Sequence, residues 1–347
     1  MSKAVSIGNV VIGGGNKVAI QTMCDIKTSK IDDIIKEIEN VYDLGCDIVR
    51  LSVKDAEDAA ALKDIRKRSP VPIVADIHFD YRLALAAIDA GVDKIRINPG
   101  NIGSEDKVKE VAVALKRTGI AVRVGSNSGS IEKDFLQKFG KSEISLAESA
   151  LKNVAILEKY GVNNIVVSAK ASSVPLTVAT YRYLAKKTDY PLHLGVTEAG
   201  SKDNGIVKNS VGIGSLLLDG IGDTIRVSLT APITEEVIAA KRILRSVGLD
   251  NNYAEIISCP TCGRTAYDMK GLLSLVERAT AKVTKPVKIA VMGCVVNGPG
   301  EAGDCDLGIA GGDGKCVIFK KGKVYITAPE DEAKELFLKE IDKLING

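Results

Sequence analysis

The chain of 347 residues has no tryptophan, only two histidines, and aromatic side chains at 4% of its positions. Surfaces that stack single-stranded bases need aromatics, so this scarcity argues against them. Forty-seven Lys and Arg stand against 44 Asp and Glu, and a net charge of +3 is too slight for a nucleic-acid footprint. No run of eighteen apolar residues occurs, so no membrane span is expected. Met1 to Val18 lacks the apolar core of a signal peptide, and seven cysteines, an odd number, fit a reducing compartment. A cytoplasmic location is therefore expected. Nucleotide loops are missing as well: no G-x-G-x-x-G follows the first strand and no G-x-x-x-x-G-K-[ST] occurs. Gly212-Ile213-Gly214 is a partial match that suits helix packing better.

What is present is an ordinary globular composition, 45% hydrophobic and 26% charged, with length for one large domain and one small one. Between Val18 and Ser228, short β-branched runs alternate with longer segments of helical period. The runs are Val18–Met23, Asp47–Val53, Pro72–Asp76, Lys94–Asn98, Ala121–Gly125, Asn164–Ser168, Pro191–Gly195 and Asp223–Ser228. Helices fit between them, for example at Ile31–Leu44, Tyr81–Ala90, Lys107–Thr118, Ala147–Tyr160 and Val174–Lys187. Glycines at 91, 119 and 161 stand where helices should stop. Eight strands, each followed by a helix, predict a (β/α)8 TIM-like barrel over residues 1–250, with a doubly wound open sheet as the alternative. Past a helix near Glu235–Val247, Gly248–Tyr253 reads as a linker. Residues 254–347 then predict a small α+β domain, with strands at Glu255–Ser258, Val287–Met292 and Asp306–Ala310, and a hairpin across Lys321-Gly322.

A barrel's chemistry sits at the C-terminal ends of its strands, and these ends are basic. Arg50, Arg96, Arg123 and Arg226 each stand between two apolar residues, so period-two alternation turns the apolar flanks toward the helices and the guanidinium inward. Converging buried cations must be neutralised, and Asp76 and Glu198 are internal candidates. Four arginines and Lys170 exceed two acids, which points to an anionic ligand with phosphate-like oxygens. Asn98, Asn101, Asn127, Ser128 and Ser130 would add donors. His78 and His193 sit at strand ends, where a site role is slightly favoured over packing. Glu198, in Gly195-Val196-Thr197-Glu198-Ala199-Gly200, is a plausible proton donor.

The other concentration of chemistry runs from Cys259 to Glu301. Cys259-Pro260-Thr261-Cys262 can grip one metal centre from a tight turn, and Cys294 arrives from a separate Gly/Pro-rich loop. Three thiols and a nearby carboxylate suit an iron–sulfur cluster with one exposed iron. Spacing alone also allows a four-thiolate zinc site completed by Cys294 and Cys305, or a redox dithiol. Cys24 and Cys46 read as small buried apolar residues.

Taken over essentially its whole length, the sequence resembles the bacterial 4-hydroxy-3-methylbut-2-enyl diphosphate synthases of the non-mevalonate isoprenoid pathway, in their short two-domain form. The resemblance is carried by Ala75-Asp76-Ile77-His78-Phe79, Arg96-Ile97-Asn98-Pro99-Gly100-Asn101, His193 to Gly200, Cys259 to Arg264, and Gly293 to Ala302. It implies reductive opening of 2-C-methyl-D-erythritol 2,4-cyclodiphosphate at a [4Fe–4S] cluster held by Cys259, Cys262, Cys294 and Glu301. It further implies diphosphate binding by Arg50, Arg96, Arg123, Asn127, Lys170, Arg226 and Ser228. Asp76, His78, Asn98 and Glu198 would surround the reacting carbons, with Glu198 as proton source. Ferredoxin or flavodoxin would supply electrons to a homodimer in which the cluster domain of one chain caps the barrel of the other. Cys305-Asp306 stands where the family usually has Ala-Asp, which makes Cys305 a competitor of Glu301 for the fourth ligand position. The enzymatic rival is a sugar-phosphate lyase or aldolase with a Schiff-base Lys170 and a structural zinc domain. A non-enzymatic rival is an iron–sulfur sensor or RNA-binding module, which the near-neutral charge opposes.

Overall fold

The computed structural model describes every residue except Ser130, Ala266, Val296, Asn297, Asp313 and Gly347, and only the backbone of Gly298 and Pro299. The chain divides into two units, Met1–Leu249 and Asp250–Gly347. No helix of the described residues is long and apolar enough to cross a membrane.

The first unit opens with an antiparallel hairpin, β1 (Val5–Ile7) and β2 (Val10–Ile12). Eight parallel strands follow: β3 (Ala19–Met23), β4 (Ile48–Ser52), β5 (Ile73–Asp76), β6 (Lys94–Ile97), β7 (Ala121–Asn127), β8 (Ile165–Lys170), β9 (His193–Leu194) and β10 (Thr224–Ile225). Their spatial order, β8-β7-β6-β5-β4-β3-β10-β9, becomes a ring through one parallel bridge between Val167 and Leu192. The helices between them are α1 (Ile31–Asp43), α2 (Ala56–Arg68), α3 (Tyr81–Asp89), α4 (Glu105–Thr118), α5 (Lys133–Phe139), α6 (Glu143–Lys159), α7 (Val174–Leu184), α8 (Lys202–Leu218) and α9 (Ile233–Ser246). The expected TIM-like barrel is present.

Local chemistry explains the punctuation. Asp55 caps α2 by accepting from the Asp58 N–H, and α4 stops at Gly119, whose φ of 72° an L side chain adopts at a cost. Gly212 lies in α8 against Val196, where an added Cβ would approach the Val196 methyl to 2.7 Å, so this glycine serves helix packing. The hairpin was not foreseen. Val5, Ile7 and Ile12 pack with Ala19, Ile48, Val74, Ala121 and Val166, residues at or near the starts of barrel strands, and so cover the N-terminal end. The open end is left to the strand C-termini.

In the second unit a five-stranded sheet has the order β11-β12-β13-β14-β15. Its strands are β11 (Ala254–Ser258), β12 (Val287–Met292), β13 (Leu307–Gly312), β14 (Lys315–Lys320) and β15 (Lys323–Pro329). The first three are parallel, and the last two form the expected hairpin, with Lys321 and Gly322 both at positive φ. Helices α10 (Met269–Thr280) and α12 (Glu330–Asn346) bury Leu272, Val276, Phe337 and Ile341 against Ile289 and Ile309. A short helix, α11 (Gly298–Glu301), precedes a second apolar cluster formed by Ala290, Met292, Ala302, Cys305, Ala310 and Phe319.

Candidate active site

The candidate residues fall in two groups, one in each unit. In the barrel, alternation does what the sequence suggested: Ile95 and Ile97 enter the apolar shell under the helices, while Lys94 and Arg96 take the opposite face of β6. The strand ends enclose a cavity of about 210 Å³ lined by Arg50, Asp76, His78, Arg96, Arg123, Asn127, Lys170, Arg226 and Ser228. Ser168 and Thr197, not foreseen, share this lining.

Five cationic side chains thus face one cavity, and three of them are held by two carboxylates, of which only Asp76 lines its wall. Asp76, 3% exposed, places Oδ1 3.2 Å from Arg96 Nη1 and Oδ2 3.5 Å from Arg50 Nε. Burial would raise its carboxyl, but Arg50, Arg96 and Arg123 together outweigh this and hold it below the usual carboxylate range. The second counter-charge, expected from Glu198, comes instead from Glu236 on α9, which binds the Arg226 guanidinium through Nε and Nη2. Glu198 is exposed and does not line the cavity. Its backbone has φ 53°, one of only two positive-φ non-glycine positions among the described residues. No sequence signal marks Glu236, because acids in the first turn of a helix are ordinary.

Arg123 is the least satisfied of these cations. It is 2% exposed, and its Nε and Nη1 have no hydrogen-bond partner among the described residues. A buried guanidinium with orphaned N–H groups on a cavity wall is an anion-binding feature. Burial, then the crowd of Arg123, Arg50, Arg226 and Arg96, presses the Lys170 ammonium well below its ordinary range. Two glycines make room: a Cβ at 125 would meet Arg96 Nε at 2.8 Å, and one at 195 would meet Lys170 Nζ at 2.6 Å.

Other candidates lie elsewhere. Asn98 accepts from the Gly100 N–H at 3.1 Å, so its side chain braces its own turn, and it does not line the cavity. His193 is fully buried, with Nδ1 3.4 Å from Thr224 Oγ1 and its carbonyl accepting from the Tyr181 hydroxyl. It is a core residue. It does not line the cavity, contrary to the expected site role, because a strand-end histidine one layer down looks the same in sequence as one at the mouth. Cys24 and Cys46 are buried as expected. Ser130 lies outside the described residues.

In the second unit, β11 and β12 are parallel neighbours, with Ser258 opposite Val291. Both cysteine loops leave the same edge of the sheet for that reason. The Gly293 N–H donates to Cys259 Sγ at 3.1 Å, and the Cys262 N–H donates to Thr265 Oγ1 at 3.3 Å. Arg264 is held above its ordinary range by its bond to Cys262 and by the charges of Cys262, Cys294 and Glu301. Cys262 is exposed, whereas Cys259 and Cys294 are half-buried. Among the described residues no three His, Cys, Asp or Glu side chains are already gathered as a metal-binding set. The donor types nonetheless fit a thiolate-bound cluster: one sulfur already accepts a backbone N–H, and the other two are accessible around one arginine. Cys305 differs. It is fully buried, and burial pushes its thiol up to about 11.

Two family models match the chain, described as "GcpE TIM-barrel domain" over residues 2–241 and "GcpE protein C-terminal domain" over residues 255–343. A relative from Caldanaerobacter subterraneus subsp. tengcongensis is 51% identical over 99% of this chain and 98% of its own. Another, from Brevibacillus brevis, is 49% identical over 99% and 96%. Both are named 4-hydroxy-3-methylbut-2-en-1-yl diphosphate synthase (flavodoxin). Among solved structures, dihydropteroate synthase from Yersinia pestis superposes with a TM-score of 0.51 at 11% identity, over 72% of this chain and 100% of that one. A truncated 3-deoxy-D-arabino-heptulosonate 7-phosphate synthase from Thermotoga maritima gives 0.51 at 13% identity, over 71% and 94%. These two likenesses concern the barrel fold alone.

Proposed function

We propose, from the premise that the chain belongs to the GcpE family of isoprenoid-biosynthesis oxidoreductases, that it reduces 2-C-methyl-D-erythritol 2,4-cyclodiphosphate to 4-hydroxy-3-methylbut-2-enyl diphosphate. Counted on the neutral acids, two electrons and two protons enter and one water leaves. The ring C–O bond to phosphate breaks, a hydroxyl departs as water, and a double bond forms between the two carbons. Flavodoxin, named in the relatives, is the proposed electron donor, with ferredoxin as the alternative.

The observation that carries the reading is the buried, unpartnered edge of Arg123 on a cavity walled by five cations. A diphosphate supplies the acceptors these donors lack. Arg50, Arg96, Arg123, Lys170 and Arg226, with Asn127 and Ser228, bind it, and its negative charge favours the ammonium form of Lys170. Asp76 keeps Arg50 and Arg96 in register and His78 borders the reacting carbons. Asn98 braces the adjoining turn. Glu198 protonates the departing hydroxyl.

Cys259, Cys262, Cys294 and Glu301 hold a [4Fe–4S] cluster in this reading, Glu301 being preferred to the buried Cys305. When bound, the cluster supplies single electrons and a Lewis-acidic iron whose carboxylate ligand is more easily displaced than a thiolate. We place the enzyme in the cytoplasm as a homodimer, with the cluster unit of one chain closing the barrel of the other. A neutral Lys170 would also suit a Schiff-base lyase, and borohydride trapping with substrate tests that reading.

The deciding experiment uses anaerobically purified protein assayed for iron, sulfide and zinc, with EPR of the reduced form before and after adding the cyclodiphosphate. The expected result is about four irons per chain and a spectrum altered by substrate. Bound zinc without sulfide overturns the cluster and brings the lyase reading forward.

A further inference from the structure

We propose that Glu236 is a positioning residue that fixes Arg226 and the Ser228 end of its loop for diphosphate binding, an inference resting on the function proposed above. The Glu236 carboxylate is 2% exposed and its oxygens meet four donors. Oε1 accepts from Arg226 Nη2 and from the Leu229 N–H, each at 3.0 Å. Oε2 accepts from Thr22 Oγ1 at 2.8 Å and from Arg226 Nε at 3.2 Å. One side chain on α9 thereby ties together β3, the cation that follows β10, and the backbone immediately after Ser228.

Such a tie is needed because Arg226 borders two spaces. It lines the 210 Å³ cavity of the candidate site, and with Met23 it also lines a neighbouring cavity of about 520 Å³ that contains Glu236. A long flexible guanidinium without a fixed partner would divide its time between them. The bidentate grip on Nε and Nη2 fixes the plane of the fork and leaves Nη1 for an anion. The Leu229 bond sets the direction of the loop that carries Ser228. Asp76 performs the same service for Arg50 and Arg96, so the cations divide into three held by carboxylates and two, Arg123 and Lys170, with no carboxylate bound among the described residues.

Replacing Glu236 by Gln separates these tasks. The amide oxygen can still accept from the Leu229 N–H, whereas the amide NH2 faces Arg226 Nε, donor against donor. Arg226 loses its Nε bond and keeps only the one from Nη2, so the plane of its fork is no longer fixed, while the loop stays held and the site gains net positive charge. Positioning therefore predicts that turnover falls while anion affinity does not.

The test uses the full-length, cluster-loaded enzyme and two measurements: calorimetric affinity for inorganic pyrophosphate, and kcat with the cyclodiphosphate. For Glu236→Gln, kcat should fall about 100-fold, with pyrophosphate affinity within about threefold of wild type. Glu236→Asp, which keeps the charge, should recover part of the lost turnover. Adding Glu236→Gln to Arg226→Met should cost far less than it costs alone, because the residue acts largely through Arg226. This double variant also has no buried carboxylate left unpaired, so the question survives if Glu236→Gln alone folds poorly. Unchanged kcat in Glu236→Gln, or kcat and affinity lost together with additive losses in the double variant, overturns the proposal. A wild-type protein that binds neither pyrophosphate nor the cyclodiphosphate would instead bring down the proposed function, and this inference with it.

Discussion

Lys94 lies fully buried on β6 with its ammonium nitrogen 3.2 Å from Gln21 Oε1, and no carboxylate is bonded to it among the described residues. Burial, then Arg123 and Arg50, press its pKa well below the ordinary lysine value. Between that depressed value and the unfolded value of about 10.4, the unfolded chain binds a proton that the folded chain refuses. Folding is therefore penalised at neutral pH, and stability rises with pH through this window. Lys94→Met should stabilise the barrel by about 1–3 kcal/mol at pH 7, less roughly 1 kcal/mol for the abandoned Gln21 oxygen. The gain should shrink as pH rises through this window and vanish near the ordinary lysine value. Urea unfolding of both proteins from pH 6 to 10 checks this, and curves that stay parallel would sink it.

Asp76 carries the opposite sign. Its folded pKa lies below the unfolded value of about 3.9, so its stabilisation is complete above that value and is lost as pH falls through the folded one. Asp76→Asn leaves Arg50 and Arg96 buried without their carboxylate and should cost about 3–5 kcal/mol at pH 7. Pyrophosphate at a hundred times its dissociation constant should return about 2.7 kcal/mol. Thermal unfolding with and without pyrophosphate reads both effects.

The arginines were legible because their cause is local: one charged residue between two apolar ones has only one face to take in a strand, as Arg96 between Ile95 and Ile97 shows. The cysteine loops were legible for a similar reason, each closing a parallel strand. What sequence left open depends on depth and on distant partners. Lys94 and His193 sit one layer below the cavity, and a strand's pattern gives the face of a residue but not its height along the barrel. Glu236 meets Arg226 only because α9 folds back against β3. The β1–β2 hairpin carries turn residues at Gly8-Asn9, but its role depends on a barrel floor assembled from strands far along the chain.

Glu198 sits at φ 53°, a conformation that costs an L residue about 1–2 kcal/mol. Glycine removes this strain and adds about 0.5–1 kcal/mol of unfolded-state entropy. Glu198→Gly should therefore stabilise the protein by up to about 1 kcal/mol while turnover drops about 10²–10⁴-fold with the lost proton donor. Glu198→Ala should lose the same turnover without gaining stability. Equal stability changes in the two variants would remove the strain argument, and full activity in either would remove the proton-transfer role.

Cys305 distinguishes the two candidates for the fourth cluster ligand. It is buried beside Ala302, Ala310 and Phe319, with a thiol pushed up to about 11 by burial, and a ligand thiolate would have to form against that cost. Cys305→Ala should keep the iron and sulfide content of wild type, at a stability cost of about 1 kcal/mol for the small cavity left behind. Cys305→Ser buries a hydroxyl in the same place and should cost about 1–3 kcal/mol, again without loss of iron. Cys262 is exposed, so Cys262→Ala should strip the cluster while changing the metal-free fold by less than about 0.5 kcal/mol. Iron and sulfide assays beside denaturation of the metal-free forms read both effects in all three variants. Iron lost from Cys305→Ala but kept in Glu301→Ala would transfer the fourth ligand to Cys305, and with it would go the open iron on which the reductive chemistry depends.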